Sequence, residues 1–94
     1  MNKIEITYCK KCRWLLRSSW MAQEILTTFE DEVDVLSLVP GSGGIFEVIA
    51  NGQVIWSRKK EGRFPDVTEL KQSVRNAIAP DKDLGCMDRK SKKA

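Results

Sequence analysis

Between Lys3 and Val39 the chain changes its hydrophobic period twice, and this limits the available folds more than any other feature. Lys3-Ile4-Glu5-Ile6-Thr7-Tyr8 alternates polar and apolar, so Ile4, Ile6 and Tyr8 share one face of a half-buried strand. From about Cys12 to Glu30 the spacing turns helical. Leu15, Ala22, Ile25, Leu26 and Phe29 form an apolar stripe with Met21 at its flank, and no Gly or Pro interrupts it. Val33 to Val39 returns to β-branched residues and leucine, near-continuously apolar from Val35 on, as in a strand covered on both faces. Pro40-Gly41-Ser42-Gly43-Gly44 stops that strand. Strand, helix and strand in this order imply a right-handed crossover and parallel pairing.

Two further strands follow, Ile45–Ala50 and Gln53–Ser57. Asn51-Gly52 separates them, and both residues accept the positive φ of a type I′ turn. Arg58 to Pro65 reads as a polar loop. Asp66 then caps a second helix, with Glu69 completing a capping box. Val67, Leu70, Val74, Ala77 and Ile78 form its inner stripe, and Pro80 ends it. The order β-α-β-β-β-α predicts an α/β (α+β) fold of thioredoxin-like type, with helices packed on a mixed four-stranded sheet. A ferredoxin-like arrangement would need another helix between the strands.

With 94 residues, 41% hydrophobic and 31% charged, the chain has the composition of one globular core. The domain is expected over residues 1–85, followed by a basic, disordered tail over 86–94. A core this small makes a homodimer a secondary expectation. The net charge of +3 is modest, and Lys90, Lys92 and Lys93 have no interleaved aromatic, so no nucleic-acid partner is expected. Charged residues stand at the start where an apolar signal region would lie, and no apolar run reaches the roughly 18 residues of a membrane span. A cytoplasmic protein without a membrane partner is therefore expected, in a compartment where disulfides are mostly transient and catalytic.

The chain has no histidine, which excludes Ser-His and Cys-His catalysis and His-ligated zinc. Attention falls on Cys9-Lys10-Lys11-Cys12. Cys9 ends the first strand, Cys12 is placed in the first helical turn, and a two-residue spacer lets the sulfurs meet. A helix N-terminus and the charges of Lys10, Lys11 and Arg13 favour thiolate. On this geometry Cys9 is the more exposed, attacking sulfur and Cys12 the resolver. The same spacing also suits half of a zinc site, completed by Cys86 and a carboxylate or by a second copy. A third reading is a redox-sensitive binding module with its partner surface near Trp14 and Phe64.

With that motif in place, the chain resembles the selenoprotein W/T/H (Rdx) family, in its bacterial selenoprotein W-like branch. Tyr8-Cys9-Lys10-Lys11-Cys12, Gly44-Ile45-Phe46-Glu47-Val48, Asn51-Gly52, Trp56-Ser57-Arg58-Lys59, Gly62-Arg63-Phe64-Pro65 and the stretch from Ile78-Ala79-Pro80 to Leu84-Gly85 carry the resemblance. It implies a thioredoxin-like fold and thiol–disulfide oxidoreductase or antioxidant activity. It also implies a thiol/disulfide protein or glutathione as partner, with glutathione a co-substrate and no bound cofactor. The resemblance places selenocysteine's slot at Cys12, which would make Cys12 the attacker. Cys86 stands where many bacterial relatives are expected to have histidine, leaving open a two- or three-cysteine cycle.

Trp14 could shape a substrate platform, although packing is the commoner role for it, for Trp20 and for Trp56. Gly41-Ser42-Gly43-Gly44 lacks the Gly-Lys-Ser/Thr ending of a phosphate loop and reads as a turn beside the cysteines. Pro40 invites comparison with the cis-proline of thioredoxin-like folds. Gly62-Arg63-Phe64-Pro65 reads either as a recognition loop or as a connector.

Overall fold

Strand β1 (Lys3–Cys9) lies inside the sheet because its neighbours approach from both sides. In the computed structural model, which describes residues 1–85, β2 (Val35–Gly41) pairs with β1 in parallel, Lys3 opposite Val35 through Cys9 opposite Gly41. On the other side β3 (Phe46–Ala50) runs antiparallel, Ile4 opposite Ala50 and Tyr8 opposite Phe46. β4 (Gln53–Ser57) completes a mixed sheet of order β2-β1-β3-β4. Helix α1 (Leu15–Thr28) bridges β1 and β2, a short α2 (Arg58–Glu61) follows β4, and α3 (Val67–Ile78) closes the domain. This is the mixed, thioredoxin-like α+β sheet expected from the element order.

The two long helices pack against each other and against the sheet face that carries Ile4, Ile6, Tyr8, Phe46, Val48 and Trp56. Met21, Ile25 and Phe29 of the α1 region and Leu70 and Val74 of α3 fill the space between. Alternation in β1 thus separates buried Ile4, Ile6 and Tyr8 from Lys3, Glu5 and Thr7 on the opposite face. The hairpin turn has both expected positive φ values, 50° at Asn51 and 86° at Gly52. Asn51 does more than turn the chain. Its Oδ1 accepts from Lys3 N–H at 2.8 Å and its Nδ2 donates to Asn2 Oδ1 at 3.0 Å, tying the hairpin tip to the start of β1.

Several expectations are corrected. Helix α1 starts at Leu15, three residues past Cys12, because a separate turn occupies Lys10 to Arg13. Its inner stripe runs through Ser18, Met21, Ala22, Ile25 and the capping Phe29, leaving Leu15 and Leu26 exposed at the stripe's margin. Strand β2 is an edge strand, half-covered rather than buried on both faces. That position also tolerates Pro40 within the strand, because an edge residue need not donate to the ladder. The expected polar loop contains α2, capped by Ser57 Oγ accepting from Lys60 N–H at 3.3 Å.

In α3 the inner stripe takes Leu70, Lys71 and Val74, whereas Ala77 is exposed. Lys71 lays its hydrocarbon stem into the α1–α3 contact and reaches Glu24 of α1 at 2.8 Å. A burial tally by hydrophobicity misses such a residue, since only its ammonium needs a partner. Among the described residues, no helix is long and apolar enough to cross a membrane. The expected basic tail, 86–94, lies outside the described residues.

The start of α3 is fixed by a capping box. Glu69 N–H donates to Asp66 Oδ1 at 2.8 Å, and Asp66 N–H donates to Glu69 Oε1 at 3.0 Å. Glu69 also takes a two-pronged bond from Arg63, both contacts at 2.6 Å. Chiefly through Arg63, with help from the Asp66 amide, its carboxyl falls from 4.5 to about 2. A carboxylate depressed by folding adds stability above its unfolded pKa, and that contribution fades as pH drops through the folded value. Glu69→Gln should therefore cost about 0.5–1 kcal/mol at neutral pH, the scale of a well-aligned, partly exposed pair. The cost should shrink between pH 4.5 and about 2, measured by denaturant titration along that range. An unchanged cost at the acid end would assign it to packing.

Candidate functional site

Cys9 is the last residue of β1, and its pairing with Gly41 places it beside the end of β2. Past it the chain reverses: Lys10 N–H donates to the Gly41 carbonyl and Arg13 N–H to the Lys10 carbonyl, both at 3.1 Å. Arg13 sits at φ 63°, an uncommon conformation for a residue with a Cβ, costing about 1 kcal/mol or more. The turn needs this kink to deliver the chain into α1, whose first bond runs from Ser18 N–H to the Trp14 carbonyl at 2.9 Å. Trp14 occupies the N-cap and provides no side-chain acceptor.

The exposures of the two sulfurs reverse the geometric expectation from sequence. Cys9 is buried, with 2% of its surface accessible, and Cys12 is exposed on the turn. Strand position explains it: Cys9 is closed in by the neighbouring strand ends, whereas Cys12 precedes the helix instead of lying in it.

The thiols are hydrogen-bonded partners. Cys9 is pushed below the ordinary cysteine value, chiefly because Cys12 S–H donates to its sulfur. Burial opposes this, and backbone N–H groups of Gly44, Cys12 and Lys11 reinforce it. Cys12 is pushed up, first by the same bond to Cys9, then by desolvation and the Cys9 charge. The Gly44 N–H and the Arg58 cation pull it back down. The bond between the two sulfurs and the amides around them thus favour negative charge at the inner one.

Gly44 and Arg58 are the residues that motif reasoning missed. Gly44 reaches both sulfurs through its N–H, in a backbone conformation of φ 76°. A Cβ there would meet nothing within 4 Å, so its glycine serves backbone conformation rather than space. At Gly41 space decides. A Cβ would come within 2.8 Å of Ile45 Cγ2 and 3.3 Å of Thr7 Cγ2, so the strand end beside Cys9 admits only glycine without rearrangement. The signal available in the sequence was the run Gly41-Ser42-Gly43-Gly44 itself, which the sheet brings onto the cysteines.

Arg58 begins α2, and its guanidinium lies 5.0 Å from the centre of the Trp14 ring and 5.3 Å from that of Phe64. Phe64 meets Trp14 edge-on at 4.9 Å and Phe46 at the same distance, and Arg17 covers it at 4.4 Å. Gly62-Arg63-Phe64-Pro65 is therefore a packed support for the residue that follows the cysteine turn. Trp56 is buried and donates its indole N–H to the Arg63 carbonyl at 3.1 Å, anchoring the same loop. Trp20 is exposed on α1. The Pro40 peptide bond is trans. Cys86 lies outside the described residues. Among those described, no cluster of three or more His, Cys, Asp or Glu side chains could hold a metal ion.

Fold and site together define a small thioredoxin-like protein with a dithiol at a strand–turn–helix junction. The model of the Rdx family matches residues 3–76, and the chain belongs to that family. A selenoprotein W-related protein from Vibrio cholerae is 51% identical, with a TM-score of 0.78 over 80% of this chain and 94% of that one. A Bordetella parapertussis protein is 48% identical with the same TM-score, over 80% and 95%. The SelT-like protein of Arabidopsis thaliana is 34% identical over 63% of this chain, a match spanning 23% of the plant protein. Migration and invasion enhancer 1 of Mus musculus is 28% identical over 79% of this chain and 63% of its own length.

Alkylation by iodoacetamide against pH tests the electrostatic roles. Arg58→Gln should raise the Cys12 pKa further and slow its modification at neutral pH several-fold. Gly44→Ala should move the whole profile to higher pH, because the amide that faces both sulfurs is re-aimed. Profiles identical to the unsubstituted protein would show that neither group acts on the thiols.

Proposed function

We propose that the chain is a thiol–disulfide oxidoreductase in which Cys12 attacks and Cys9 resolves. The observation that carries this reading is the pairing of an exposed sulfur with a buried one that is already favoured as thiolate. In the first step the Cys12 proton passes to Cys9, and the Cys12 thiolate attacks one sulfur of a substrate disulfide. A Cys12–substrate disulfide forms, and the other substrate sulfur leaves as thiolate and takes a proton from solvent. Cys9 then attacks Cys12 Sγ and expels the second substrate sulfur, which takes up the Cys9 proton and leaves as a thiol. The substrate gains two electrons and the protein keeps a Cys9–Cys12 disulfide.

The amide ring around Cys9 suits the second step, because it ionises the resolver without exposing it to unrelated electrophiles. Membership of the Rdx family supports a redox role, and the resemblance noted above puts selenocysteine's slot, the attacking position, at Cys12. Two molecules of glutathione, oxidised together to glutathione disulfide, would return the pair to dithiols. A reducing cytoplasm is the setting this cycle requires.

The order of events is tested by trapping. Cys9→Ser should accumulate mixed disulfides with substrate at Cys12, while Cys12→Ser should trap few. Either substitution should lower turnover of a model disulfide by about two orders of magnitude or more, as loss of a nucleophile does. Accumulation on Cys12→Ser instead would assign attack to Cys9. Full turnover in both variants would end the dithiol reading.

A further inference from the structure

The cysteine turn and the first turn of α1 border a half-open pocket of about 380 Å³, lined by Tyr8, Lys10, Arg13, Leu15 and Leu16. That volume lies within the ordinary range of ligand pockets. The dithiol chemistry uses none of these side chains, yet two of them, Lys10 and Arg13, bracket Cys12 on its own turn. Leu16 is 82% exposed and Leu15 47%, a large apolar area for a helix start. Trp20, 47% exposed, stands one helical turn beyond Leu16 and continues the apolar strip along α1.

The charge is one-sided. Lys10 and Arg13 provide cations and no carboxylate lines the pocket. The first turn of α1 has no acidic residue, and its N-cap has no side-chain acceptor to satisfy the leading amides. Arg13 is held in its left-handed conformation at the lip of the pocket, a cost of the kind that collects at functional positions. An apolar floor under uncompensated positive charge complements an apolar side chain flanked by carboxylates.

We propose that this pocket seats the segment of a protein substrate that flanks its reactive cysteine, and that it selects segments carrying acidic residues beside a leucine-sized side chain. The inference deepens the oxidoreductase reading and rests on it for the word substrate. Binding itself needs no sulfur chemistry, so the two can fail separately.

The test uses the reduced full chain and a short synthetic peptide with aspartates, glutamates and one leucine around a serine that replaces the cysteine. A second peptide has lysines in place of the acids. Amide chemical shifts of Lys10, Arg13, Leu15 and Leu16 should move on titration with the acidic peptide only, and affinity should fall with added salt. Lys10→Glu combined with Arg13→Glu should weaken binding about tenfold, and Leu16→Gln should weaken it several-fold. Equal affinity for both peptides, or shifts centred away from the pocket, would overturn the proposal. So would displacement of the acidic peptide by S-methylglutathione at matching concentration, which would give the pocket to the tripeptide. Because no probe contains a free thiol or a disulfide, none of these outcomes bears on whether Cys12 attacks disulfides.

Discussion

The parallel ladder between β1 and β2 is the constraint from which the site follows. It sets Cys9 opposite Gly41, and that register carries the glycine-rich segment after β2 over the cysteine turn. Parallel strands cannot be joined by a tight turn, so the chain between them must cross the sheet as a helix. That crossover begins immediately after the dithiol. The element that makes the fold possible and the element that bears the chemistry therefore share a few residues, Lys10 to Trp14. The strained Arg13 backbone is the local cost of making both fit.

Electrostatic control at the pair is divided between backbone and side chains. The inner sulfur receives amides from its own turn and from Gly44, across the sheet. The outer sulfur feels Arg58, which reaches it from α2 over the faces of Trp14 and Phe64. Fixed amides cost no reorganisation when charge develops, whereas a guanidinium on aromatic rings is held in place by their faces. Removal of a proton from this site is thus prepared by three chain segments far apart in sequence.

Much of the fold was legible in the residues. Alternation at Ile4, Ile6 and Tyr8 marked the central strand, Asn51-Gly52 marked the hairpin, and Asp66 with Glu69 marked the start of the last helix. Each is a local rule with a period or a dihedral behind it. What local rules missed had non-local causes. Leu15 and Leu26 were apolar and helical in spacing, yet the helix turns its Ser18–Met21 side to the sheet. Lys71 joins the packed side of α3 despite its charge, because its stem packs and Glu24 accepts its ammonium. Cys12 was assigned to a helix that begins only after the turn has closed.

By itself the sequence determined the order of strands and helices and the spacing that lets two sulfurs meet. Periodicity and turn chemistry are properties of neighbours along the chain. Tertiary structure decided which sulfur faces solvent, which is favoured as thiolate, and which side chains surround them. Those depend on Gly41, Gly44, Arg58 and Phe64 arriving from other strands and loops. Burial and charge act through space, and only the sheet's register specifies which residues share it.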